Sequence, residues 1–164
     1  MILRRLAAGL LLGLALGCSN TVVDVKSAAP AAPLHIECRG HGSPPVVLEA
    51  GLGNDSSVWS AVLPELAKTT QVCAYDRAGM GASRRPAPRP HSNELMAAEL
   101  QELLRATYVR GPYVLVGHSM GGAIVRYLAA KSPAAVSGMV LVDSVSEQQP
   151  ARLWARSPDA TLAE

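Results

Sequence analysis

The chain has 164 residues, a formal net charge of +2 and only 4% aromatic residues, with no phenylalanine. Such a charge is too small to indicate a nucleic-acid-binding protein, and no cluster of cysteines and histidines indicates a metal site. We therefore expect no nucleic-acid partner, no metal ion and no cofactor.

The first 17 residues are typical of a secretory signal peptide. A basic start, Met1–Arg5, precedes a short apolar stretch that ends at Gly17 and is shorter than the roughly 20 residues that span a bilayer. Residues 14–18 resemble a bacterial lipobox, in which the cysteine becomes a lipidated N-terminus. We expect Cys18 to anchor the protein to a membrane on the periplasmic side of the cell envelope. A secreted protein with an ordinary cleaved signal, or an uncleaved anchor, is the alternative.

Residues 18–33 are rich in Ser, Ala and Pro and have no periodic apolar face, which predicts a flexible tether before a domain over residues 34–146. Apolar runs in that domain predict five strands, over residues 34–38, 46–50, 71–75, 113–116 and 138–142. The last run is almost continuously apolar, as expected for a strand covered on both faces.

Helical patterns separate these strands. A helix capped by Asp55 or Ser56 and broken at Pro64 carries Val58, Trp59, Val62, Leu63 and Leu66 on one face. Ser92 caps a second helix, with Met96, Leu100, Leu103 and Thr107 at helical spacing. A third begins near Ser119 and ends at Ser132. Alternating strands and helices predict an α/β fold with a mostly parallel sheet and helices on both faces.

The most informative motif is Gly117-His118-Ser119-Met120-Gly121, which lies between an apolar strand and a helix. This G-x-S-x-G pattern, in a strand-turn-helix context, is typical of a nucleophile elbow, and a serine in a glycine-rich turn is the alternative. The two glycines leave room for the neighbouring strand and helix, where a Cβ atom would collide. The elbow places a serine hydroxyl at the start of a helix, where the dipole favours negative charge.

Two further motifs precede the elbow. A buried strand ends in a glycine-rich loop over residues 46–53, and a second strand leads into a D-R-x-G-x-G-x-S turn over residues 72–83. In this order, the three motifs resemble the N-terminal portion of the α/β-hydrolase fold family, from about Leu34 to Ser144. The chain departs from many members in having Ala50-Gly51 where they have His-Gly, a change that leaves the backbone geometry intact.

The resemblance implies roles for individual residues. Ser119 would be the catalytic nucleophile, and the backbone N–H groups of Leu52 and Met120 would form the oxyanion hole. A tight loop without that role is the alternative for Leu52. Asp143 follows the last strand, where some members place the catalytic acid, although a carboxylate that caps the next segment fits the pattern better. Leu52, Asp76, Ser119 and Asp143 all follow strand ends, so we expect them along one edge of the sheet.

Other polar and aromatic residues have structural interpretations. Asp76 and Arg77 belong to the turn motif, and we interpret their side chains as a pair that fixes the loop. Trp59 can line a substrate pocket, but its spacing favours a core position. Cys38 and Cys73 lie on strands that are neighbours in the family's sheet, so a disulfide is predicted, with two buried thiols as the alternative.

A serine nucleophile needs a base, and in this family the histidine follows the serine in the sequence. The four histidines, His35, His41, His91 and His118, all precede Ser119. His118 is adjacent to the serine, but that position normally packs beneath the elbow. Residues 147–164 look like the start of a cap region. The acid and the histidine are therefore expected beyond Glu164.

The predicted function is that of a serine hydrolase of the esterase or lipase type, acting on a small-molecule acyl substrate. Esters, thioesters and amides all fit, because specificity lies in the cap and the C-terminal loops. Serine at the elbow disfavours the halide- and epoxide-opening branches, which use aspartate. A truncated, non-catalytic binding protein of the same fold is the alternative, and a cofactor-free peroxidase would use the same residues.

Overall fold

A computed structural model describes residues 21–25, 34–83 and 92–146. The predicted signal peptide, Cys18, His91 and the predicted start of a cap lie outside this part of the chain. Among the described residues, no helix combines the length and the hydrophobicity required to cross a membrane.

The described residues form one six-stranded sheet with the order β1-β2-β4-β3-β5-β6. The strands are β1 Thr21–Val25, β2 Leu34–Arg39, β3 Val46–Glu49, β4 Val72–Tyr75, β5 Tyr113–His118 and β6 Val136–Val142. The pairs β3–β4, β3–β5 and β5–β6 are parallel, whereas β2 is antiparallel to both β1 and β4. The prediction of a mostly parallel sheet is confirmed, and the carboxyl ends of β3, β4, β5 and β6 meet at one edge.

Helices cover both faces of this sheet, as predicted. On one face lie α2 Asn93–Ala106 and α3 Met120–Lys131, and their buried side chains pack around Leu115 of β5. On the other face, a 3₁₀ turn Ser56–Trp59 and the short α1 Leu63–Leu66 pack against β3 and β4. A second 3₁₀ turn, Pro133–Ala135, leads into β6. Trp59 lies in the core of this second face and not in a polar cleft.

The caps agree with the sequence. The Asp55 carboxylate accepts a hydrogen bond from the Ser57 N–H, and the Ser92 hydroxyl accepts one from the Leu95 N–H. The predicted helix between β3 and β4 is two short pieces, because Pro64 occupies the first turn of α1 and starts a new helix there. Its apolar residues do not share one buried face, since Val58 and Val62 are exposed.

One expectation is wrong, and a second is not met within the described residues. Residues Thr21–Val25, predicted to belong to a flexible tether, form β1 and pair with the exposed edge of β2, where backbone groups of both strands are satisfied. The strand β6, predicted to be covered on both faces, has Met139, Val140, Leu141 and Val142 between 39% and 50% exposed. Among the described residues, β6 pairs with β5 alone.

The disulfide that the sequence left as one of two alternatives is present. Cys38 of β2 lies opposite Cys73 of β4 in the antiparallel register, and the two Cα atoms are 4.1 Å apart. The pairing of the two strands therefore brings the sulfur atoms together, and the bond links residues that are 35 positions apart in the sequence.

Candidate active site

Ser119 occupies the sharp turn between β5 and α3. Its backbone has φ +52° and ψ −121°, a conformation that is rare for a residue with a side chain. Ser119 is the residue that precedes the first turn of α3, yet its hydroxyl does not cap the helix. Within the part of the chain that the structure describes, the Ser119 hydroxyl therefore makes no capping bond and lies at the positive end of the helix dipole.

The backbone of Ser119 is hydrogen-bonded on both sides to the end of β6 and the segment that follows it. Its N–H donates to the Val142 carbonyl at 3.0 Å, and its carbonyl accepts from the Val145 N–H at 3.2 Å. A third bond, from the Gly122 N–H at 3.1 Å, reaches the same carbonyl. These bonds offset the cost of the strained conformation, because a residue in a sparsely populated region persists only where its surroundings enforce it.

The glycines around Ser119 are required by close packing. A Cβ atom on Gly117 would lie 2.6 Å from the Gly122 Cα, and one on Gly121 would lie 2.5 Å from the Ala50 carbonyl oxygen. In both cases the obstructing atom belongs to a backbone, which has little room to shift. The strand, the turn and the helix can approach this closely only because both positions lack a side chain.

The loop after β3 lies directly against this turn. A Cβ atom on Gly51 would lie 2.9 Å from His118 Nδ1 and 3.3 Å from the Ser119 Cβ. Leu52, the next residue, has a side chain that is 74% exposed. The structure therefore places next to each other the two segments that the sequence predicts to form an oxyanion hole. The His118 side chain packs against Gly51.

Arg77 holds the loop after β3 from the inside of the protein. One guanidinium nitrogen donates to Glu49 Oε1 at 2.5 Å and to the Ala50 carbonyl at 2.6 Å. The other donates to the Gly51 carbonyl and, at 3.3 Å, to the Asn54 carbonyl. Arg77 is only 6% exposed, so these groups replace the water that a charged guanidinium would otherwise require.

Glu49 completes this buried network. It ends β3, is fully buried, and accepts hydrogen bonds from Arg77 at Oε1 and from the Tyr75 hydroxyl at Oε2. Burial raises the pKa of Glu49 from its usual 4.5 to about 6, while Arg77 and the Tyr75 hydroxyl act in the opposite direction. Burial also raises the pKa of Tyr75 well above its usual 10, so this phenol keeps its proton as a donor.

The sequence analysis missed the roles of Glu49 and Tyr75. A signal was available, because Glu49 ends an otherwise apolar run at the position where the chain enters the loop. A buried carboxylate in such a run requires a positively charged or hydrogen-bonding partner. Arg77, two residues after the neighbouring strand β4, is the nearest cation in the sequence motifs.

Arg77 and Asp76 both fix loops, as expected, but each has its own partners. The Asp76 carboxylate accepts from the Ser56 N–H and from the Ala82 N–H, each at 2.8 Å. Its own carbonyl accepts from the Ser83 hydroxyl at 2.6 Å. Gly81 leaves the space that this carboxylate fills, since a Cβ atom there would lie 2.2 Å from Asp76 Oδ2. Asp76 thus joins its turn to the 3₁₀ turn after β3.

The two N–H groups predicted to form an oxyanion hole have no acceptor within the described segments. The Leu52 N–H makes no hydrogen bond there, and the same is true of the Met120 N–H, which belongs to the first residue of α3. Both groups remain available to a ligand. They are the kind of donor that a negatively charged oxygen requires.

Asp143 is the first residue after β6, next to Val142, whose carbonyl bonds to Ser119. It is exposed, has a left-handed backbone with φ +43°, and sits between the two residues whose backbones bond to Ser119. Of the other histidines, His35 lies on β2 and His41 is exposed in the turn after it. Within the described ranges, no three residues of the types His, Cys, Asp and Glu group in a way that could hold a metal ion.

Comparisons with known proteins show the family of this fold. A family model described as the alpha/beta hydrolase fold matches residues 44–164. Among curated proteins, the chain is 40% identical over 102 residues to RutD of Klebsiella pneumoniae strain 342, which is named provisionally as a carbamate hydrolase. The match covers 62% of this chain and 38% of RutD.

Solved structures give the same result. A hydrolase from Pseudomonas aeruginosa PA01 superposes with a TM-score of 0.69 at 28% identity, covering 88% of this chain and 53% of that protein. A membrane phospholipase A described as a bacterial virulence factor gives a TM-score of 0.66 at 28% identity, covering 79% and 41%. The chain therefore spans between about two fifths and about half of the length of these proteins.

Proposed function

This chain belongs to the α/β-hydrolase fold family, and we propose that it is a serine hydrolase that cleaves carboxylic esters or related acyl compounds with Ser119 as the nucleophile. The observation that carries the proposal is the backbone of Ser119, with φ +52° in a turn between β5 and α3 and a hydroxyl that caps nothing. Such strain is maintained at a site that needs the side chain held clear of the backbone.

In the proposed reaction, Ser119 Oγ attacks the acyl carbonyl carbon and its proton passes to a general base. The carbonyl oxygen gains the negative charge, and the N–H groups of Leu52 and Met120 donate to it at about 2.7–3.1 Å. The leaving group takes the proton, and water then releases the acid from the acyl-enzyme. Esters, thioesters and amides all present such a carbonyl, as do the carbamates for which RutD is named.

We propose that the base is a histidine that follows Glu164 in the gene product. The support is the order of residues in the family, serine before acid before histidine, together with the share of RutD that this chain covers. The 164-residue chain by itself is then expected to give no turnover of a p-nitrophenyl ester. A reading frame that continues into an aspartate and then a histidine, over roughly 100 residues, would supply both groups.

The acid has two candidates, Asp143 and a carboxylate after Glu164. We favour the later one because the Asp143 side chain is exposed, whereas the acid of such a triad is held by hydrogen bonds. Asp143→Asn in the full-length gene product should keep most of the activity, and asparagine tolerates the left-handed backbone at this position. A loss of about 10⁴-fold in kcat would instead assign the acid to Asp143.

The test of the proposed function is labelling by a fluorophosphonate, which reacts with activated serines. The full-length gene product should be labelled once, at Ser119, and Ser119→Ala should abolish both labelling and ester turnover. Ser60→Ala is the matched control, because Ser60 is exposed on the 3₁₀ turn after β3 and lies outside the proposed site. Labelling at another residue, or none in a folded full-length protein, would refute the proposal.

A non-catalytic binding protein of the same fold is the alternative to this proposal. This candidate predicts that the folded gene product binds acyl compounds without turnover. It also predicts that Ser119→Ala leaves the affinity for them nearly unchanged, because the hydroxyl then performs no chemistry.

We also propose that the protein is exported and lipid-anchored through Cys18. The lipobox-like residues 14–18 support the anchor, and the Cys38–Cys73 disulfide fits an oxidising compartment. Mass spectrometry of the protein from bacterial membranes should find an N-terminal diacylated Cys18. An unmodified Cys18, or cleavage at another position, would contradict the anchor while leaving the proposed chemistry untouched.

A further inference from the structure

The burial of Arg77 costs free energy unless the guanidinium finds enough hydrogen-bonding partners inside the protein. Taking an isolated cation out of water is strongly unfavourable, and a single carboxylate repays the cost only with excellent geometry. Arg77 has more than one partner: besides Glu49 it donates to the carbonyls of Ala50, Gly51 and Asn54. Three of its four acceptors therefore belong to the single loop that carries Leu52.

The chemistry of the side chain suits this arrangement. A guanidinium presents several N–H donors in one rigid plane, so it can hold several carbonyl oxygens in a fixed relation to one another. An ammonium group is a compact point charge and lacks this planar fork. Arg77 thus sets the orientation of successive peptide groups in the loop and does more than neutralise Glu49.

The orientation of one peptide group matters most. The bond between Gly51 and Leu52 joins the Gly51 carbonyl to the Leu52 N–H, and in a trans peptide these two groups point in opposite directions. Arg77 draws the Gly51 carbonyl toward the interior. The Leu52 N–H must therefore point away from Arg77, and it has no acceptor within the described residues.

We propose that Arg77 is the positioning residue of the oxyanion site: by binding the carbonyls of the loop after β3, it orients the Leu52 N–H toward the substrate oxygen. This role rests on the proposed acyl chemistry at Ser119. Glu49 and Tyr75 act through Arg77. The Glu49 carboxylate balances the buried positive charge, and the Tyr75 hydroxyl occupies the carboxylate oxygen that Arg77 does not use.

The test compares Arg77→Lys with wild type in the full-length gene product, because lysine keeps the charge opposite Glu49 but not the planar fork. We expect kcat for a p-nitrophenyl ester to fall about 10²-fold, near the effect of losing one oxyanion donor, while KM changes little. Arg39→Lys is the matched control, since Arg39 also pairs with a glutamate, Glu37, but in a half-buried pair on β2 outside the proposed site. It should leave kcat unchanged.

Hydrogen exchange of the peptide over residues 50–54 provides a readout that is independent of turnover. In Arg77→Lys, exchange in this loop should accelerate while β4 and β5 keep their protection. Free guanidinium ion at non-denaturing concentrations should restore part of kcat in Arg77→Ala, which a purely structural loss would not allow.

The outcomes separate the two proposals. Wild-type protein that neither turns over esters nor labels with a fluorophosphonate refutes the proposed function. An active wild type whose Arg77→Lys variant keeps its kcat, with unchanged exchange in the loop, overturns the role of Arg77 alone. A fall in melting temperature with kcat intact would likewise reduce Arg77 to a structural residue.

Discussion

Gly51 lies so close to Ser119 across the candidate site that a Cβ atom added to the glycine would come within 3.3 Å of the Cβ of Ser119. The loop after β3 and the turn after β5 are thus fixed relative to each other by direct packing. Arg77 binds the loop from the interior of the protein. The end of β6 and the segment after it bind the Ser119 turn through backbone hydrogen bonds. A small displacement of the loop or of the turn should therefore change the position of Ser119.

Gly51→Ala should lower activity with little loss of stability. The added methyl group would lie 2.9 Å from His118 Nδ1, so the half-buried imidazole, the loop or Ser119 must shift by a few tenths of an ångström. Misplacing catalytic groups by 1 Å costs up to about 10²-fold in rate, so we expect kcat to fall about 10-fold. Steady-state kinetics on the full-length gene product measure this effect.

Gly138→Ala is the control for that variant, because its new methyl group would make an ordinary contact at 3.8 Å with Val114. It should leave kcat unchanged. If Gly51→Ala also keeps the wild-type kcat, the contact between the loop and the Ser119 turn has no role in activity.

Gly121→Ala should destabilise the fold although alanine favours helices. The Cβ atom would lie 2.5 Å from the Ala50 carbonyl oxygen and 2.7 Å from that of Glu49, both backbone atoms. Overpacking costs typically about 1–3 kcal/mol, and the gain in helix propensity is about 1 kcal/mol. We expect a net loss of up to about 2 kcal/mol in urea unfolding, and a gain in stability would show that α3 can move away from β3.

The fold could be predicted from the sequence largely because its signals are local. The strands over residues 46–50 and 113–116 are short apolar runs bounded by glycine or proline, and the strained Ser119 turn follows from the glycines on either side. The caps at Asp55 and Ser92 have the same local origin, since each side chain bonds to an N–H two or three residues away.

The features that the sequence did not predict depend on pairings between residues far apart in the chain. The bond from Tyr75 to Glu49 and those from Arg77 to Glu49 and the loop join residues 23 to 28 positions apart, and no local pattern indicates which carbonyls a buried guanidinium will reach. The strand β1 was missed for a similar reason, because its pairing depends on the open edge of β2. The side chains of β6 are exposed because, among the described residues, only β5 lies beside it in the sheet.

The Cys38–Cys73 disulfide should contribute substantially to stability. It closes a loop over a sequence separation of 35 residues, for which the loss of chain entropy in the unfolded state corresponds to about 3–4 kcal/mol. Cys38→Ala/Cys73→Ala should therefore unfold at a lower urea concentration than the oxidised wild type. Dithiothreitol should lower the wild-type midpoint and leave that of the double variant unchanged, and an equal response of both proteins would contradict a role for the bond.

Glu49 should make the free energy of unfolding depend on pH in an unusual direction. Its pKa in the folded protein is about 6, above the ordinary value of 4.5, so the folded state binds the proton more tightly than the unfolded state. The stability that this group contributes is complete below pH 4.5 and is lost as the pH rises through 6. A difference of roughly 1.5 pH units corresponds to about 2 kcal/mol.

Urea unfolding of wild type and Glu49→Gln between pH 4 and pH 7 measures this contribution. The stability of wild type relative to the variant should decrease by about 2 kcal/mol across the window, because glutamine does not titrate. The groups that face Glu49, Arg77 and Tyr75, are the same in both proteins, and burial holds the pKa of Tyr75 well above its usual 10. Glu65→Gln, at an exposed position, corrects for the change in net charge. A relative stability that rises with pH would show that the ion pair with Arg77 outweighs burial and holds the Glu49 pKa below its ordinary value.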